Sequence, residues 1–71
     1  MGEGMTVATY TVVGMTCGHC VASVTEEISE LPGVSDVAVA LETGAVTVTS
    51  TEPLDEAAVS AAVVEAGYRL A

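Results

Sequence analysis

The apolar residues of this chain recur in two periods that take turns along its length, and that order leaves few folds open. Ala8, Tyr10 and Val12 alternate with Val7, Thr9 and Thr11, the two-residue period of a half-buried strand running from Thr6 to Val13. Gly14 interrupts it. From about Gly18 to Leu31 the spacing lengthens: Cys20, Val24, Ile28 and Leu31 recur every three or four residues, as on one face of a helix that Pro32-Gly33 stops. Val37, Val39 and Leu41 then alternate with Asp36, Ala38 and Ala40 as a second strand. Glu42-Thr43-Gly44 reads as a tight hairpin turn into a third, where Val46 and Val48 alternate with Ala45, Thr47 and Thr49. Pro53-Leu54-Asp55-Glu56 opens a second helix with Asp55 as its N-cap, and Val59, Ala62, Val63 and Ala66 form its buried stripe. Gly67 suits the C-terminal end of that helix, and Tyr68-Arg69-Leu70 a short last strand.

The order is therefore βαββαβ. Two helices with one apolar stripe each must cover one face of a four-stranded antiparallel sheet, which is the α+β ferredoxin-like sandwich. Residues 1–71 are expected to form a single domain. The chain has no Phe or Trp and only two Tyr, so its core must come from Val, Ala, Ile, Leu and Met.

The formal net charge is −9, with Arg69 as the sole basic residue apart from His19. That balance disfavours nucleic acid and anionic membrane surfaces, and favours a partner with a basic docking face. Acidic residues such as Glu26, Glu27 and Glu30 also keep a small apolar domain soluble, a reading of equal weight. No apolar run is long enough to cross a bilayer, and the first six residues lack the basic and apolar regions of a secretory signal. A soluble cytoplasmic chain is expected, without membrane insertion. There a Cys-x-x-Cys pair is reduced, and is metal-binding or catalytic rather than structural.

Gly14-Met15-Thr16-Cys17-Gly18-His19-Cys20 holds both cysteines and the only histidine. Cys17 falls in the loop after the first strand and Cys20 in the first helical turn, a spacing that sets both sulfurs on one side of the helix start. Unpaired backbone N–H groups there favour the thiolate, the form that binds metal. Structural zinc wants four ligands and iron–sulfur clusters four cysteines, whereas this chain offers two Cys and one His. Two thiolates suit Cu(I), a soft ion that tolerates low coordination and leaves such a site readily. A thiol-disulfide oxidoreductase would use the same pair, and remains the alternative from an enzyme class.

Together with Leu31-Pro32-Gly33-Val34 and Glu65-Ala66-Gly67-Tyr68, this motif resembles the heavy-metal-associated domain family along essentially the whole chain. The resemblance implies a copper chaperone, not an enzyme, holding Cu(I) between Cys17 and Cys20. It would pass the metal by cysteine exchange to the metal-binding domain of a copper-transporting P-type ATPase. The alternatives are a metal-binding domain of that ATPase itself, or a mercury-binding carrier. Thr16 stands where zinc- and cadmium-handling relatives often carry Asp, which favours Cu(I). Tyr68 resembles the residue beside the metal loop in bacterial copper members, and His19 the histidine that tunes many of them.

Each of these residues also has a simpler reading. Met15 is an apolar anchor beneath the loop more than a copper ligand. His19 lies in a loop and projects to solvent, as tuning group or spacer. Cys20 falls on the apolar stripe, where an inert buried thiol would also sit, and Tyr68 can serve the core. Gly14 and Gly18 serve backbone geometry. The apo chain is expected to be a monomer, and two exposed thiolates leave open a copper-bridged homodimer.

Overall fold

The computed structural model describes residues 5–15 and 18–71. Its elements are β1 (Thr6–Val13), α1 (Gly18–Ser29), β2 (Val34–Ala40), β3 (Ala45–Ser50), α2 (Glu56–Glu65) and β4 (Arg69–Leu70). The four strands form one antiparallel sheet in the order β2-β3-β1-β4. Val12, Val46 and Val48 point from one face of it into a common core with Val24 and Ile28 of α1 and Val59, Ala62 and Val63 of α2. Burying each Val or Ile side chain contributes about 1.5–3 kcal/mol, so a core without Phe or Trp suffices at this size. The expected ferredoxin-like sandwich is the fold observed.

Several element ends differ from the sequence reading; the last strand begins at Arg69 rather than Tyr68, whose N–H is bonded to the Val63 carbonyl at the end of α2. The helical stripe carried α1 to Leu31, but the helix ends at Ser29. Its last turn tightens through three-residue bonds, Glu30 N–H to Glu27 C=O at 3.3 Å and Leu31 N–H to Ile28 C=O at 3.0 Å. Pro32 disfavours helical backbone at the residue before it, so Leu31 leaves the helix yet still packs on the core. In the second strand, Val34 and Val37 both turn inward while Ser35 and Asp36 are exposed. A register shift between Val34 and Asp36 inserts the extra residue, which is why strict alternation placed the strand start two residues late. Leu41 lies in the turn rather than in β2.

The turn at 41–44 braces the end of the sheet where β1 finishes. Gly44 N–H donates to Ala40 C=O at 2.8 Å, and Gly44 C=O accepts from Val12 N–H at 2.8 Å. The turn thereby fixes the end of β1 just before Gly14. Gly44 has φ +76°, and a Cβ there would lie 2.6 Å from the Val12 carbonyl oxygen. Only glycine fits so close a backbone approach.

The N-cap of α2 is as expected: Asp55 Oδ1 accepts from Ala57 N–H at 3.1 Å. At the other end, Gly67 N–H reaches Val64 C=O at 2.9 Å and Tyr68 N–H reaches Val63 C=O at 3.0 Å. Those two bonds, with Gly67 at φ +98°, are a Schellman motif. It reverses the chain sharply, and Tyr68 is the residue it delivers.

Candidate metal site

The site assembles where the end of β1, the start of α1 and the end of α2 meet. Cys20 lies in the first turn of α1 and is only 6% exposed. The apolar stripe of the helix explains this: Cys20, Val24 and Ile28 share its buried face. The expectation of exposed thiolates is corrected for Cys20, whose sulfur is covered by its own helix packing.

Tyr68 sits between α2 and β4, one residue before the strand, and packs half-buried against the core. Its hydroxyl donates to Cys20 Sγ at 2.7 Å, across 48 residues of sequence. A Cβ on Gly14 would lie 3.4 Å from the Tyr68 ring. The ring thus fills the space between the loop entrance and the cysteine. It serves the core and touches the sulfur at once.

Met15 is half-buried and packs against the core cluster, consistent with an apolar anchor under the loop. His19 is exposed, as expected, but it belongs to the first turn of α1 rather than to a loop. Gly18 opens that helix, and a Cβ there would meet nothing within 4 Å. Cys17 and Thr16 lie outside the described residues. Elsewhere among the described residues, no group of three or more His, Cys, Asp or Glu converges to hold an ion. No helix among them is long and apolar enough to cross a membrane.

Sequence reasoning placed Cys20 on the buried stripe and Tyr68 near the loop, but not the bond between them. Only the Schellman reversal at Gly67 brings the phenol to the sulfur. The bracing role of Gly44 was also missed, since a glycine closing a hairpin carries no mark of what packs across it.

A soft sulfur held by a phenol donor at a helix start has negative charge stabilised from two directions, by the O–H dipole and the helix N-terminus. Such a sulfur can coordinate a soft cation.

Comparison with known proteins points the same way. The heavy-metal-associated domain model matches residues 9–69. The COP-associated protein of Helicobacter felis is 41% identical over 59 residues, covering 83% of this chain and 89% of that protein. A segment of copper-transporting ATPase 1 of Rhizobium meliloti is 42% identical over 59 residues, 83% of this chain but 7% of the ATPase. Among solved structures, a CopZ metallochaperone superposes with a TM-score of 0.85 at 28% identity, over 93% of this chain and all of that one.

Proposed function

The chain belongs to the heavy-metal-associated domain family, and from that premise we propose that it carries Cu(I) as cargo between Cys17 and Cys20 and hands it to the metal-binding domain of a copper-transporting ATPase. The observation that supports this most is the Tyr68 hydroxyl on the Cys20 sulfur, 2.7 Å away at the start of α1. It gives the two cysteines unequal roles. Cys20 is the anchored ligand, buried and hydrogen-bonded, while exchange begins at Cys17. An incoming thiolate attacks the copper, the Cys17 bond breaks, and Cys20 leaves last. The likeness to a segment of a copper-transporting ATPase supports a partner of the same fold, so that donor and acceptor present similar ligand pairs. Transfer of this kind needs little driving force in either direction.

In this reading the chain turns over no substrate, works in the cytoplasm and is a monomer when apo.

The experiment mixes the copper-loaded chain, without oxygen, with the matching segment of the Rhizobium meliloti ATPase and follows the metal on each. Copper is expected to distribute between the two. Tyr68→Phe removes one hydrogen bond to sulfur, worth about 1 kcal/mol, and should speed release by roughly fivefold. Copper that stays wholly on the donor, with an empty and reduced acceptor, excludes the transfer role. An unchanged release rate in Tyr68→Phe removes the anchoring role from the phenol.

A further inference from the structure

We propose that Arg69 selects the partner in copper exchange, by receiving a carboxylate that the partner protein carries beside its own metal-binding thiols. The inference rests on the copper-transfer reading and deepens it.

Arg69 is the one Lys or Arg in a chain with ten carboxylates, and among the described residues no ion pair holds its guanidinium. It pairs in register with Val13, so the two side chains share the sheet face that the helices leave uncovered. A surface depression of about 390 Å³ is lined by Arg69, Val13, Gly14, Gly67 and Tyr68. Two of those residues are glycines, which leaves the backbone open to approach. Tyr68, between Gly67 and Arg69, is the residue whose hydroxyl touches Cys20 Sγ. A group seated in the depression therefore touches Tyr68, the residue that holds Cys20, the ligand that releases copper last.

The placement of the acids makes this end different from the rest of the molecule. Glu26, Glu27 and Glu30 occupy the second half of α1 and the turn after it, away from Cys20. Glu52 and Asp55 follow Ser50, which pairs with Thr6 at the far end of β1, while Glu56 shares a depression with Thr9, Thr11 and Leu70 partway along the sheet. Asp36 pairs with Thr49 at that same end. The far end is separated from the metal end by the length of α1, about 18 Å at ~1.5 Å per residue. That exceeds twice the Debye length of about 8 Å at physiological salt. A partner arriving at the metal end is thus screened from most of the −9 and meets Arg69, with Glu42, Glu56 and Glu65 as the nearer acids. Guanidinium and carboxylate pair in a forked geometry, which fixes register as well as attraction.

The test has a metal-free arm and a copper arm. In the first, the reduced full chain reacts with dithiobis(nitrobenzoate), a disulfide with a carboxylate on each ring, and with neutral dithiodipyridine. Arg69→Gln should slow the anionic reagent by about fivefold at low salt and leave the neutral one within about twofold. Arg69→Lys should restore most of the rate, and high salt should erase the difference. In the second arm, the copper-loaded chain donates to short Cys-Ala-Ala-Cys peptides flanked by Asp or by Asn. The wild type should prefer the Asp peptide by about fivefold, and Arg69→Gln should lose the preference. Equal slowing of both disulfides by Arg69→Gln, or no slowing of either, overturns the proposal; so does an equal rate to both peptides. A chain that binds no Cu(I) fails the transfer reading instead, and the metal-free arm still decides the role of Arg69.

Discussion

Cys20→Ser is expected to lower the affinity for Cu(I) by well over about 100-fold, the loss that removing an outer partner of a ligand already causes. Serine offers a hard hydroxyl that stays protonated, and a soft ion gains little from it. The fold should survive. Serine is close to cysteine in size, and the Tyr68 hydroxyl that donates to Cys20 Sγ can donate to a serine oxygen at the same place. Circular dichroism should therefore match the wild type while competition titration with a Cu(I) chelator reveals the loss. Cys17→Ser should show a similar loss of affinity. Tight binding retained in both single variants would show that the pair is not the site.

Gly44→Ala should be the most damaging single methyl in the described structure. The added Cβ would lie 2.6 Å from the carbonyl oxygen of Val12, a backbone atom that cannot swing aside. Its φ of +76° adds the ordinary cost of left-handed backbone, about 1–2 kcal/mol, to the clash. Together these give a loss of about 2–4 kcal/mol, and at about 4–8 °C per kcal/mol for a domain of this size the midpoint should fall by about 8–32 °C. Thermal unfolding followed at far-ultraviolet wavelengths checks it. A midpoint within about 3 °C of wild type would mean that the turn does not brace β1 as described. The same contact ties stability to the proposed copper site, because Val12 is held two residues before Gly14, where the cysteine motif begins.

The architecture was legible because the sequence changes period where the structure changes element. Val46 and Val48 alternate as a strand facing one core must, and Val59, Ala62 and Val63 recur as a helix stripe must. Local irregularity hid what was missed. The bulge at Ser35 shifts the parity of β2, so period-two counting from Val37 cannot reach Val34. Pro32 acts backward on Leu31, whose apolar side chain still fits the stripe after its backbone has left the helix.

The candidate site was legible in its residues more than in its geometry. Cys20 could be placed at the helix start by spacing, and its burial followed from the stripe it shares with Val24 and Ile28. The Tyr68–Cys20 bond could not, because it joins positions brought together only by the reversal at Gly67. Contacts between distant segments leave no periodic trace in one sequence.

The central claim is that Cys17 and Cys20 form a carrier site for one Cu(I). Anaerobic titration of the reduced chain with Cu(I) against a competing chelator, with the mass of each species read under native conditions, tests it most directly. The account predicts one Cu(I) per monomer, no metal on the Cys20→Ser variant at the same chelator concentration, and no displacement of copper by Zn(II). A chain that yields its copper to equimolar Zn(II), or binds none while both thiols are reduced, would contradict it.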